Sequence, residues 1–242
     1  MLKPLFRIFT LRGRYLKMRN ILGYDPGGPK ANGVACLKFT EEMKTIETDT
    51  VGSVDEAMDW FLEKLNGDKP EAIGIDAYMN WETGVSGRRG PDNWLRANYP
   101  TQKNSVLYAN SAFGAMAIQG MALAIRVRQK WPDATLNEVH PKVLYFALSK
   151  KAYLKPKTKN GPPDQKMVKW LLKETGIKNV WDIHNDHEWD AVLSAWATYQ
   201  GQEGKYKKNL MDFSKNAICP INGKEPKYYW PDNNKCVSNH GS

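Results

Sequence analysis

Asn20–Gly28, NILGYDPGG, is the stretch on which the fold turns. A short apolar run, Ile21–Leu22, leads into Gly23-Tyr24-Asp25-Pro26-Gly27-Gly28. This reads as a strand that ends in a carboxylate and then breaks into a tight turn, because proline and paired glycines interrupt regular structure. Glycine lets a ligand approach bare backbone, so Asp25 would border an accessible gap. The plainer alternative is a surface turn, since Asp and Gly are ordinary turn residues. What separates the two is whether other carboxylates return to the same place.

Working outward, Gly33–Phe39 and Thr45–Thr50 read as a second and third strand in an antiparallel meander. Ser53-Val54-Asp55-Glu56 is a capping box, with Ala57, Trp60, Phe61 and Leu65 following at helical spacing. Glu71–Ala77 (EAIGIDA) is apolar on both faces, as in a central covered strand, and carries Asp76 at its end. Tyr78 to about Asn104 reads as a long loop holding Arg88, Arg89, Trp94 and Arg96; loops of that length usually work as lids or binding loops. Asn110 or Ser111 would cap a small-residue helix running to Lys130. Ala134–His140 reads as a fifth strand, followed by a short helix Lys142–Leu148 and a helix opened by Pro162 or Pro163. The last helix, Asn185–Tyr199, begins with a second capping box, Asn185 and Glu188. Its Asp190, Ala191, Ser194, Ala195 and Thr198 share one small-residue side suited to close packing on a sheet.

Bulk properties exclude several classes. The chain has 242 residues, 41% hydrophobic and 25% charged, enough for a core and too apolar for wholesale disorder. Thirty-five Lys+Arg against 26 Asp+Glu give +9, which suits a polyanionic partner. Cys36, Cys219 and Cys236 form neither a disulfide framework nor a CxxC site, a sparse usage that fits a reducing, cytoplasmic setting. Nothing approaches the roughly 18 consecutive apolar residues of a membrane span. The expected organisation is a basic arm or extension over 1–19, one main domain over 20–200, and a C-terminal extension over 201–242.

A meander followed by crossovers gives a mixed sheet covered by helices, with sites gathering at strand ends. If the strands ending in Asp25 and Asp76 are adjacent and parallel, their carboxylates lie side by side, and Asp190 approaches from the last helix. Two carboxylates about 4 Å apart repel by roughly 4 kcal/mol at an effective dielectric near 20. A divalent cation relieves that repulsion, and oxygen-only ligands suit Mg²⁺ or Mn²⁺. Two such ions could clamp the attacking and leaving oxygens of a phosphodiester. His187, three residues before Asp190, could orient water or shuttle a proton, or simply be a solvated helix-start histidine. Glu138 and His140 are either site residues or structural at a strand end. Asp186 and Glu188 read as capping residues. Lys142, Lys150, Lys151, Lys155, Lys157 and Lys159 form a solvated basic face or phosphate contacts.

Asp25 in GYDPGG, Asp76 in AIGIDAY, the EVHPKVLYFAL block and His187-x-x-Asp190-Ala191 follow one another in an order that resembles the ribonuclease H-like superfamily. The nearest shapes are RuvC-type resolvases and a family of predicted RNase H-like nucleases. The resemblance spans about Ile21–Tyr199 and implies an α/β fold, a five-stranded mixed sheet flanked by helices, with a two-metal Mg²⁺ or Mn²⁺ site. It assigns the metal-binding acids to Asp25, Asp76 and Asp190, and gives Glu138 and His187 supporting catalytic roles. It also implies a nucleic acid partner, DNA favoured over RNA, contacted by Arg88, Arg89, Arg96, Lys142, Lys150, Lys151 and Lys155. Trp94 or Tyr99 would stack on a base. Resolvase-like proteins are often dimers, so a homodimer is among the expectations. Asp76 departs from the resolvase pattern, which has Glu there. The rival readings are an actin-like kinase, for which the chain lacks a second GxDxG-like segment, and a binding module without catalysis.

Overall fold

Arg19–Asp25 (β1) is buried along almost its whole length, so it must be covered on both faces. In the structure, a computed structural model describing residues 10–11, 14–15, 18–28, 31–40, 43–82, 88–108, 114–156, 161–177 and 179–232, it is the central strand of a five-stranded mixed sheet. The other strands are β2 (Asn32–Phe39), β3 (Lys44–Val51), β4 (Ala72–Ile75) and β5 (Thr135–Glu138), in the spatial order β3-β2-β1-β4-β5. β1 pairs antiparallel with β2 and β2 with β3, completing the expected meander. β4 lies parallel to β1 and β5 parallel to β4, as crossover connections require. The fold is therefore the expected α/β arrangement, consistent with an RNase H-like description.

Side-chain alternation divides the sheet. Leu22, Tyr24, Val34, Ile73 and Ile75 face one side, where they pack against α1 (Val54–Leu65) and α3 (Gly114–Lys130). Ile21, Ala35 and Ala72 face the other, under α5 (Gln165–Thr175) and α6 (Asp186–Gln202). α6 lies unusually close to the strands. A Cβ on Gly33 would fall 2.0 Å from the His187 carbonyl oxygen, on Gly23 2.0 Å from that of Ala191, and on Gly74 2.1 Å from that of Ser194. Residues 187, 191 and 194 are spaced four and three apart, so successive turns of α6 cross β2, β1 and β4 in order. On β5 the next contact is a hydrogen bond, Asn137 Nδ2 donating to Thr198 Oγ1 at 2.9 Å.

Both expected capping boxes form, with one change. Ser53 Oγ accepts from Glu56 N at 3.1 Å, and Asn185 Oδ1 accepts from Glu188 N at 2.9 Å. The reciprocal glutamates reach one residue further back, Glu56 to Gly52 N and Glu188 to His184 N. Glu188 also receives the hydroxyls of Thr48 and Thr50, so it locks the start of α6 to β3 as well as capping it. α5 is opened by Asp164, which accepts from Lys166 N, rather than by the prolines before it. The expected caps Asn110 and Ser111 lie outside the described residues, as do Lys157, Lys159, Cys236 and His240.

Two expectations are corrected. The segment after Asp76 is not one long loop: it contains α2 (Gly90–Asn98) and a short 3-10 turn, Pro100–Gln102. Trp94 and Tyr99 are not displayed for base stacking. Trp94 stacks on Phe213 at 5.9 Å and meets Trp230 edge-on, while Tyr99 Oη accepts from Trp230 Nε1 at 2.9 Å. Residues on both sides of the 20–200 span also pack onto it. Arg19 opens β1 and bridges Glu71 and Glu203. The chain around Lys227 pairs with the edge of β5, where Glu138 N donates to Lys227 O and Lys227 N to Leu136 O, both at 2.8 Å. Tyr228 and Trp230 are buried beside Leu95, Val143 and Ala197. The tail looked structureless because its anchors are isolated aromatics with no helical or strand period.

Adding one methyl at Gly23 must push α6 off the sheet, because the group it meets is helix backbone. Gly23→Ala is expected to lower stability by about 3 kcal/mol, at the upper end of ordinary overpacking costs. Gly28→Ala, where the new Cβ meets nothing within 4 Å, is expected to leave the denaturation midpoint almost unchanged. Parallel chemical denaturation of the two variants checks this.

Candidate metal centre

The glycine stripe sets where the acids go. Asp25 lies two residues beyond Gly23, and Asp76 two beyond Gly74, so both project to the α6 face just past the point where the helix touches the sheet. Because β1 and β4 are adjacent and parallel, the two carboxylates leave the same edge. Asp76 N donates to Tyr24 O at 3.0 Å, which extends the ladder and holds the base of Asp76 beside β1. Asp190 immediately precedes Ala191, the residue seated on Gly23, and completes the cluster. One ligand atom from each of Asp25, Asp76 and Asp190 lies within 4.8 Å of the others. Asp25 and Asp190 are buried, and Asp76 is partly buried.

The turn after Asp25 is held from two sides. Asn32 Oδ1 accepts from Gly27 N and from Tyr24 Oη, both at 3.1 Å. Gln119 on α3 donates to Gly27 O at 3.0 Å, and Gly120 packs against Ala77. The loops bearing Asp25 and Asp76 are thereby fastened to the same helix.

Crowding raises the cost of ionising this cluster. At separations up to 4.8 Å, each pair of charged carboxylates would repel by about 3 kcal/mol or more at an effective dielectric near 20. Burial, then the charges of Asp25 and Asp190, hold the Asp76 carboxyl well above the usual carboxylate range. Burial pushes Asp190 up to about 8, against the opposing pull of Lys142. The His187 imidazole is raised, chiefly by its 2.7 Å hydrogen bond from Nδ1 to Asp25 Oδ2. Lys142 is raised by the Asp190 charge first, then by Asp76 and Asp25. An oxygen-only set of three converging, partly desolvated carboxylates fits a hard divalent cation such as Mg²⁺ or Mn²⁺.

The other sequence-selected residues separate into two groups. His187 and Lys142 join the acids. Lys150, Lys151 and Lys155 are exposed on the segment after α4 (Pro141–Ser149), which returns to the site through Tyr153. Arg88 is exposed, its guanidinium 5.0 Å from the Tyr108 ring. Arg96 is turned inward, donating to Lys103 O and Val106 O. The expectation for Arg89 is corrected: it is fully buried, and donates to Asp92, Asn80 and Glu138. No donor is left for a phosphate. The same network corrects Glu138, whose carboxylate is taken by Arg89 and by Met79 N instead of facing the three aspartates. Glu138 thus pins the loop that follows Asp76. His140 is structural as well; its Nε2 meets Ser105 O at 2.9 Å, and burial lowers its pKa to about 4.

Sequence reasoning missed Tyr153, whose hydroxyl donates to Asp190 Oδ1 at 2.9 Å. Its only signal was a lone aromatic inside a basic, loop-like stretch, KKAYLKPK.

A family model described as a protein of unknown function (DUF429) matches residues 23–212, and the chain belongs to that family. The matched span takes in all three aspartates, Tyr153 and His187. Comparison with curated proteins and with solved structures gives no significant match.

Two predictions follow from the site's electrostatics. A carboxyl whose pKa is higher in the folded than in the unfolded chain makes its stabilising contribution at low pH. That contribution is lost as pH rises from about 4, the unfolded value, to about 8 for Asp190. The metal-free protein is therefore expected to lose thermal stability across that window, and Asp190→Asn to lose less. Mn²⁺ should reverse the loss and release protons on binding near pH 7; calorimetry in buffers of different ionisation enthalpy reads both. Separately, Arg89→Met strands two buried carboxylates and is expected to cost about 3–5 kcal/mol in denaturant unfolding.

Proposed function

We propose that this DUF429 member is a metal-dependent nuclease of the ribonuclease H-like superfamily, hydrolysing phosphodiester bonds in nucleic acid, with DNA the favoured substrate. The observation that carries the reading is the meeting of Asp25, Asp76 and Asp190 at the carboxyl edge of two adjacent parallel strands. Open α/β sheets bind ligands at such edges. The five-stranded mixed sheet and the order of the acids along the chain support the superfamily assignment.

Asp25, Asp76 and Asp190 would hold Mg²⁺ or Mn²⁺. When bound, the cation supplies Lewis-acid activation and neutralises charge on the phosphoryl group. The protein's own part is positional. The α6 contact fixes Asp190 against β1, and the Asn32 and Gln119 bonds fix the turn behind Asp25. His187 is 26% exposed at its side chain, with Nδ1 on Asp25, so its other ring nitrogen can exchange a proton with water. Lys142, beside the acids, suits a phosphate oxygen at the reacting centre. Exposed Lys150, Lys151, Lys155 and Arg88 supply positive charge for the flanking backbone, in keeping with the chain's net +9. Among the described residues no helix is long and apolar enough to cross a membrane.

Labelled single-stranded, duplex and branched DNA, and the corresponding RNAs, incubated with Mg²⁺ or Mn²⁺ test the reading. Cleavage that falls at least about 100-fold in Asp25→Asn is expected, as for loss of a metal ligand. Full activity in that variant, or no cleavage of any substrate with either ion, contradicts it.

A further inference from the structure

We propose that Tyr153 is a positioning residue of the acidic site, its hydroxyl fixing which oxygen of Asp190 is presented to Asp25 and Asp76. This rests on the metal-site reading above and adds a residue that the acidic pattern does not contain.

Asp190 has two carboxylate oxygens in a buried position. Tyr153 Oη donates to Oδ1 at 2.9 Å, which leaves Oδ2 without that donor and distinguishes the two. Free rotation of the carboxylate would cost this bond, so the hydrogen bond selects one orientation. Asp25 is treated in the same way by another residue, His187 Nδ1 at 2.7 Å from Oδ2. Two of the three acids therefore each carry a dedicated partner from this chain on one oxygen. Partners of this kind orient ligands and typically change metal affinity by about 10- to 100-fold when removed.

The phenol is itself held in place. Its ring meets Tyr145 edge-on at 6.2 Å, and Tyr145 in turn meets Trp170 at 4.8 Å and Trp189 at 6.2 Å. Trp189 is the residue before Asp190, so the aromatic chain closes on the same turn of α6 that bears the acid. The Lys142 ammonium, which also interacts electrostatically with the acids, lies 5.6 Å from the Tyr153 ring centroid. Leu154 N donates to Met167 Sδ at 3.4 Å and ties the next residue to α5. Tyr153 is thus anchored through its ring, its neighbour and its hydroxyl, on a segment whose other side chains include the exposed Lys151 and Lys155.

Tyr153→Phe removes the donor and keeps the ring. Mn²⁺ affinity, measured on the full chain by calorimetry and by the free-ion EPR signal, well below the melting temperature, is expected to weaken about 10-fold. 4-Aminophenylalanine in place of Tyr153 keeps an N–H donor at the ring's end and is expected to recover most of that loss. Wild-type affinity in Tyr153→Phe, with binding to wild type intact and abolished by Asp190→Asn, overturns the role of Tyr153 and leaves the metal site standing. Absence of Mn²⁺ binding to the wild-type chain overturns both. Equal weakening by the phenylalanine and the 4-aminophenylalanine variants, whether or not either is less stable, also overturns the proposal, because the donor is then not what matters.

Discussion

The rest of the structure depends on how closely α6 approaches the sheet. Three glycines on three neighbouring strands, Gly33, Gly23 and Gly74, leave room for helix backbone where side chains would otherwise stand. Over Gly23 and Gly74 the helix answers with small residues, Ala191, Ser194 and Thr198, and over Gly33 it lays the backbone of His187. Close packing of this kind leaves no slack, since interiors have crystal-like density and do not deform smoothly. The registration of helix on sheet is therefore fixed to a fraction of a turn. Asp190 is adjacent to a contact residue, and Asp25 and Asp76 are each two residues beyond a contact glycine. One packing constraint thereby positions three residues that are far apart along the chain.

The acids in turn impose a cost that the surrounding structure has to contain. Burial and the neighbouring carboxylates raise the proton affinity of Asp76 and Asp190, and the fold brings His187, Tyr153 and Lys142 to the cluster. Around this centre a second ionic assembly is closed off entirely. Arg89, Asp92, Glu138 and Asn80 satisfy one another in the interior, and Met79 N completes Glu138. The two clusters differ in kind. The first stands at a strand edge, with Asp76 and His187 partly exposed; the second has spent its donors and acceptors on architecture.

Much of this was legible in the chain, for physical reasons that can be named. Regular alternation and capping residues marked the meander, α1 and α6, because burial periodicity and orphan backbone groups leave traces in sequence. The small-residue side of α6 announced close packing, and with it the place of Asp190. The three aspartates could be chosen because each ends or abuts an element whose direction was readable. Arg89 and Glu138 were misjudged for a different reason. Charge suggests solvent or substrate, and only tertiary pairing reveals that two opposite charges have buried each other. Trp94, Tyr99 and the tail around Tyr228 and Trp230 form a core from residues scattered over three segments, and no local period reports such a cluster. Tyr153 escaped notice because its role is a single long-range hydrogen bond.

The central claim is that the three aspartates share a cation. Crystals soaked in Mn²⁺ and measured at the manganese absorption edge address it without reference to any substrate. The account predicts an anomalous peak enclosed by the carboxylates of Asp25, Asp76 and Asp190, lost in Asp25→Asn crystals. Ordered carboxylates at that place with no anomalous density between them, at Mn²⁺ concentrations that fill other sites, would contradict it.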